Sequence, residues 1–168
     1  MITDDEPNVY LVRECKNADE LVRWSKSKNP FVRAAVAGNR NTPLVTREFY
    51  LASDEHPGVR ASVAANELTS DEAHFTLSKD PSWAVRVCQA GNPGTPPEIL
   101  SAFVPHRFDK KPPPECFVVV NHPRLPPDAL ERLTHTPNDK DWKKIRAVAR
   151  KRLGFKDEDQ NENGSTSC

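Results

Sequence analysis

Phe31-Val-Arg-Ala-Ala-Val-Ala-Gly-Asn39 is followed by two gapless copies of the same pattern, Gly58-Val-Arg-Ala-Ser-Val-Ala-Ala-Asn66 and Ala84-Val-Arg-Val-Cys-Gln-Ala-Gly-Asn92. The arginines of the three copies are 27 and 26 residues apart. A degenerate fourth copy runs from Glu115 to Asn121, with Glu115 in the arginine place, and a fifth from Ile145 to Leu153, with Arg146 in that place. Such a period predicts stacked repeats rather than one globular core.

Each copy reads as a short helix followed by a turn and a second helical piece. Small Ala and Val side chains let neighbouring helices pack closely. Capping-box spacing at Thr69–Glu72 and Thr95–Glu98 predicts where two second pieces begin. Apolar residues at helical intervals, including Leu44, Tyr50 and Phe75, are expected to face the core. We predict an all-α fold and leave open whether the second pieces are α or 3-10 helices.

The motif resembles the variant leucine-rich repeats of bacteria, with Asn92-Pro-Gly-Thr-Pro96 followed by Ile99-Leu100 as its closest copy. Asp141 to Gly154 is similar to a HEAT repeat. The resemblance covers roughly residues 17–154 and implies a right-handed superhelical solenoid of about five two-helix repeats. It leaves two segments outside the repeats, an N-terminal segment, 1–16, and an acidic tail, 155–168. We expect the acidic tail to be disordered. The iron–sulfur centre of one variant-repeat protein is not expected, because Cys15 is the sole cysteine in the first 87 residues.

The recurring arginines support two interpretations. They could form a basic stripe that grips phosphates. Alternatively, Asp54 and Asp80, each six residues before an arginine, resemble the HEAT pattern in which Asp and Arg form a ladder between repeats. We favour the ladder because buried charges are normally paired, and predict that it contains Arg33, Asp54, Arg60, Asp80, Arg86 and Arg146.

The recurring asparagines are predicted to satisfy backbone groups of the turns; they are Asn39, Asn66, Asn92 and Asn121. The fourth copy departs from the pattern, because Glu115 stands where the others have arginine. An irregular stretch, Val104 to Pro114, precedes it. This stretch is either a local irregularity or a functional loop at the edge of the solenoid.

Charge is distributed unevenly although the formal net charge is zero. Residues 105–153 hold twelve Lys and Arg against six Asp and Glu. This basic region is expected to be the charged outer face of a terminal repeat. An alternative hypothesis is a nucleic-acid-binding module that uses residues 140–153, with contacts from Lys143, Lys144, Arg150 and Arg152.

We find no phosphate loop, no HExxH or GxSxG motif and no paired carboxylates, so no catalytic residue is assigned. The four cysteines form no CxxC pair, so no metal site and no cofactor are expected. Some HEAT-like proteins are DNA glycosylases, and Trp24, Trp83 and Trp142 recur at a spacing of 59. That enzyme is the least favoured alternative.

The sequence therefore favours a non-enzymatic protein–protein interaction scaffold whose partner is another protein. No apolar run is long enough to cross a membrane, and the acidic start does not read as a signal peptide. We expect a cytoplasmic bacterial monomer.

Overall fold

A computed structural model describes residues 7–109 and 111–155, and every regular element in these ranges is helical. The prediction of an all-helical fold is confirmed for this part of the chain. Six helices, which we call the first helices, begin the successive sequence copies or precede them: α1 Val9–Glu14, α3 Pro30–Gly38, α4 Pro57–Ala65, α6 Trp83–Ala90, α8 Pro114–Val119 and α10 Lys140–Arg152.

The second helices alternate with the first helices along the chain. They are α2 Ala18–Trp24, a π-helix Thr46–Leu51, α5 Asp71–Leu77, α7 Pro97–Ala102 and α9 Pro127–Arg132, which continues into a 3-10 turn, Leu133–His135. The sequence left open whether the second helices are α or 3-10 helices; four of the five are α-helices. The π-helix was not expected; within it, the Ala52 amide bonds to the carbonyl five residues back, that of Arg47.

The first helices follow from local sequence. Asn29 and His56 cap α3 and α4 by accepting a hydrogen bond from the amide two residues later, and Pro30 and Pro57 occupy the first turn, where no N–H is needed. Helix α3 ends at Asn39 and α4 at Asn66. The backbone of both asparagines is extended rather than left-handed.

Consecutive first helices pack against one another in the order α1, α3, α4, α6, α8, while α10 packs against α9 and the 3-10 turn. Helix α1, which lies within the predicted N-terminal segment, joins the stack, because its Val12 is fully buried in the same cluster as Val32 of α3. The apolar core consists of two clusters, and α6 contributes to both, with Val85 in the first and Ala90 in the second. No helix in the described ranges has the length and apolar character that a bilayer crossing requires.

Two predicted capping boxes are shifted. Ser70, not Thr69, caps α5, and α7 begins after Pro96. The threonine hydroxyls instead donate to carbonyls six residues back, Thr69 to Val63 and Thr95 to Gln89. The hydroxyl is therefore used to close the preceding helix, and the second helix must begin one residue later.

Gln89 and His74 form a buried polar contact. Gln89 belongs to α6, the helix that contributes to both apolar clusters. Gln89 stands where Val36 and Val63 stand in the earlier copies, and its side-chain amide donates to the His74 carbonyl at 2.5 Å and lies 3.3 Å from His74 Nδ1. Both side chains are fully buried. Burial lowers the pKa of His74 below its ordinary 6.5, although Asp71 and Glu48 oppose this effect and Arg124 adds to it.

We expect the free energy of unfolding to decrease as pH falls below about 6.5, because the unfolded chain then binds a proton that His74 in the folded chain resists. Urea titrations between pH 8 and pH 5 should show this slope in the wild type and a flatter one in His74→Leu. His106→Gln, an exposed control, should keep the wild-type slope; equal slopes for wild type and His74→Leu would contradict the prediction.

Candidate functional site

Three of the recurring arginines, Arg33, Arg60 and Arg86, each join two successive sequence copies. Arg33 donates from Nε to Asp54 Oδ2 at 2.7 Å and from Nη2 to Oδ1 at 2.9 Å. Arg60 makes the same fork to Asp80, at 2.6 and 2.9 Å. The remaining nitrogen of each guanidinium donates to the turn before its own helix: Arg33 to the Ser27 carbonyl and Arg60 to that of Asp54.

The acids of this ladder are held ionised by their partners. Burial would raise the pKa of Asp54, but the Arg33 guanidinium and the His56 amide lower it below 3.8. Asp80 behaves in the same way with Arg60 and the Ser82 amide. All four side chains are at most 15% exposed, so these arginines are committed to the fold and do not present a stripe to phosphates.

Glu115 completes the third rung of the ladder. Its Oε1 accepts from Arg86 Nε at 2.5 Å, while its buried Oε2 has no partner among the described residues. Glu115 is therefore the acid of the rung rather than a replacement for the arginine. Cys116 occupies the arginine place in the structural register, and burial raises its thiol pKa to about 12.

A second ladder is built from asparagine side chains. Asn39 Nδ2 donates to the carbonyls of Val12, Arg13 and Cys15. Asn66 donates in the same way to Ala37, and Asn92 to Ala64 and Asn66. The side-chain oxygen of each asparagine accepts from the amide two residues later. Each asparagine thus closes its own turn and satisfies the end of the preceding first helix.

Asn121 does not join this ladder, although the repeat alignment groups it with the other three asparagines. Asn121 is exposed and its side chain donates to the Phe117 carbonyl of its own helix. His122 takes the ladder position instead: Nε2 lies 3.0 Å from the Asn92 carbonyl, and Nδ1 accepts from the Arg124 amide at 3.1 Å. These two contacts assign the proton to Nε2. The fourth copy is shifted by one residue, which turns the side chain of residue 121 away from the stack.

The basic C-terminal helix is partly committed to the fold. Arg152 donates from Nη1 to the Val120 carbonyl at 2.6 Å, the carbonyl that corresponds to Ala64 in the asparagine ladder. The residue as a whole is exposed, and its role as a nucleic-acid contact stays a prediction. The Arg150 guanidinium lies over the Phe155 ring and Lys144 pairs with Asp141, whereas Lys143 is exposed. The rest of the tail, 156–168, including Cys168, lies outside the described residues.

Arg146 does not join the acid ladder. Its guanidinium donates to the carbonyls of Thr136 and Pro137 and to the Asn138 side chain. It therefore keeps the contact with the turn before its own helix, and no carboxylate partner lies within the described ranges because no further copy follows there.

The three tryptophans do not share a surface. Trp83 is exposed, Trp24 packs partly against the first cluster, and Trp142 is fully buried. Trp142 Nε1 donates to the Asp109 carbonyl at 2.8 Å, and its ring meets Phe108 edge-on at 5.0 Å. The described part of the stretch Val104–Pro114 is therefore anchored to α10 by this side chain.

An apolar groove of about 400 Å³ lies between the π-helix and α5. Its walls carry apolar side chains from Leu44, Val45, Phe49, Ala52 and Ala73. Glu48, Glu72 and Thr76 supply its polar atoms. Leu44, Val45 and Phe49 are 56%, 64% and 72% exposed, so this apolar surface is open to solvent.

Part-buried polar contacts join the two walls of the groove. Glu48 accepts from both the amide and the hydroxyl of Ser70, the N-cap of α5, at 2.8 and 2.6 Å. Arg47, only 3% exposed, donates to the Leu68 carbonyl at 2.5 Å and to that of Thr42. The groove is therefore preformed rather than created by a ligand.

The sequence did not reveal this groove. Leu44, Tyr50 and Phe75 were expected in the core from their helical intervals, but each is more than half exposed. Arg47 and Glu48 carried no signal because neither recurs at the period of the repeat. One feature of the sequence could have indicated an open surface: the apolar series contains more residues than a short helix can bury.

No protein-family model matches the chain, and no curated protein and no solved structure matches it. The resemblance to variant leucine-rich and HEAT repeats therefore stays a prediction from the motifs. In the described ranges, no group of three His, Cys, Asp or Glu side chains could hold a metal ion.

Replacing Arg60 with lysine should lower the free energy of unfolding by about 2 kcal/mol, because one ammonium cannot fork to Asp80 and also reach the Asp54 carbonyl. Urea unfolding measures this. The matched control Arg40→Lys, at an exposed arginine, should leave stability unchanged, and similar losses in both variants would rule out the ladder as the cause.

His122→Ala should cost about 1–3 kcal/mol, because the Arg124 amide loses its side-chain acceptor and the Asn92 carbonyl loses one donor and keeps the Thr95 amide. His122→Asn should recover most of this loss, because a carboxamide offers a donor and an acceptor in the same order. Thermal or urea unfolding should show Asn121→Ala within about 0.5 kcal/mol of wild type. A larger loss of stability for Asn121→Ala than for His122→Ala would show that Asn121, and not His122, takes the ladder position.

Proposed function

We propose that the chain is a right-handed solenoid of about five two-helix repeats that serves as a non-enzymatic protein-interaction scaffold. The stacking of consecutive first helices supports the solenoid. The two ladders support it further, because the same kinds of contact join the first four sequence copies, each to the next.

The groove between the π-helix and α5 is the observation that carries the functional proposal. Exposed aromatic and aliphatic side chains around a rigid concave surface are typical of protein-binding sites. The π-helix adds to this interpretation, because such helices occur frequently at functional sites. The nucleic-acid alternative is less well supported, because Arg152 and Arg150 are engaged within the protein.

The proposal predicts that full-length protein captures a defined protein partner from its native lysate and retains it after nuclease treatment. The captured protein, once identified and purified, should form a stoichiometric complex by size-exclusion chromatography. Phe49→Ala should weaken that complex about tenfold or more by removing an aromatic side chain from the groove.

The control is Phe31→Ala, since Phe31 is as exposed as Phe49 but lies on a first helix. Its complex should match that of the wild type. Nucleic acid recovered in place of protein, with loss on Lys143→Glu, would overturn the scaffold and favour the basic helix. A complex equally insensitive to both phenylalanine substitutions would remove the groove from the function.

A further inference from the structure

The second helices carry a strong excess of acidic side chains. Within their bounds there are eight Asp and Glu residues but three arginines. Two of these arginines are engaged by the protein itself: Arg47 by main-chain carbonyls, and Arg132 by Asp128 and Ser101. The second helices, two of which form the walls of the groove, are therefore acidic as a group, whereas helix α10 is basic.

The imbalance is greatest beside the groove. From residue 61 to residue 78 the chain contains Glu67, Asp71 and Glu72 and no Lys or Arg. All three acids are exposed, and Glu72 lines the groove itself. The nearest cation along the chain, Lys79, places its ammonium 4.0 Å from the centre of the Phe75 ring. A ligand in the groove thus meets apolar walls and the exposed carboxylate of Glu72 at the rim, whereas the Glu48 carboxylate is paired with Arg47 at 3.5 Å and bound by Ser70.

The shape of the groove selects the form of the ligand. Its walls are two helices, and there is no strand edge in the described ranges that an extended peptide could join. An amphipathic helix places apolar side chains at i, i+3, i+4 and i+7 along one stripe and can lay that stripe into such a groove. The Glu48–Ser70 clamp holds the walls apart beforehand, so little ordering energy is lost on binding.

We propose that this groove binds a helix of the partner protein whose apolar stripe is flanked by Lys and Arg. The inference rests on the proposed function and specifies the chemistry of its partner. The apolar stripe fills the space beside Val45 and Phe49, while the flanking cations face Glu72 and Asp71. The acids contribute chiefly to association rate and to selection against acidic helices.

The test uses two synthetic amphipathic peptides with the same apolar stripe, one flanked by Lys and one by Glu. Both are matched for helicity by circular dichroism and titrated into full-length protein by fluorescence anisotropy. The Lys-flanked peptide should bind at least about tenfold more tightly than the Glu-flanked peptide, and the difference should shrink as salt screens exposed charges. Phe49→Ala should weaken its binding and Phe31→Ala should not.

Charge reversal provides the second arm. Glu72→Lys should reduce or invert the preference between the peptides. Glu98→Lys is its matched control, because Glu98 is also exposed in the first turn of a second helix but does not line the groove. Both variants alter the helix dipole interaction equally, so a difference between them reports the groove.

The outcomes separate the two proposals. Equal binding of both peptides, or binding of the Lys-flanked peptide that survives Phe49→Ala, overturns the basic-helix inference. If neither peptide binds while the native complex still depends on Phe49, the inference fails and the scaffold function stands. If neither peptide binds and the native complex is insensitive to Phe49→Ala, both fail.

Discussion

Unsatisfied main-chain carbonyls at the ends of short helices are the constraint on which the rest of this structure depends. The last four carbonyls of any α-helix lack a partner within the helix. In first helices of only six to nine residues before α10, those carbonyls are about half of the total. Stacking buries several of them, and a buried carbonyl without a donor costs free energy. The asparagine ladder meets this constraint, because each carboxamide reaches back to the end of the preceding first helix.

The arginine ladder performs the corresponding task at the other end of the first helices. One guanidinium holds the turn before its own helix and also the acid of the following sequence copy. Its planar fork supplies several donors in fixed directions, which an ammonium cannot do. Other residue types make the same bonds at some positions of the ladders. His122 replaces an asparagine carboxamide, and Arg152 supplies the donor in the last helix. Glu115 supplies the carboxylate from a different position in its sequence copy.

These ladders leave the second helices free to vary. Their first turns favour acids because a helix N-terminus carries partial positive charge, which accounts for residues such as Asp71 and Glu72 without any ligand. The same acids nevertheless create a negative field beside the groove. Because Arg47 and Glu48 fix the π-helix against α5, exposed apolar side chains there are held in position. The contacts that join the two helices come from Arg47, Glu48 and Ser70, whereas the exposed apolar surface comes from Leu44, Val45 and Phe49.

The sequence by itself determined the helical class, the period and the recurring Arg and Asn. A bond that is made in the same way in successive copies favours the same side chain at the same interval, and this makes it visible in the sequence. Local capping by Asn17 was also predictable, because it involves only neighbouring residues.

Only the tertiary structure decided the partner of each arginine, which lies 20 to 29 residues ahead. It also decided the register of the fourth copy, where a shift of one residue turns a helix by about 100° and exchanges Asn121 for His122. It decided, finally, which apolar residues stay exposed. Helical periodicity identifies the face on which Leu44 and Phe75 lie, but whether that face is covered depends on how neighbouring helices pack.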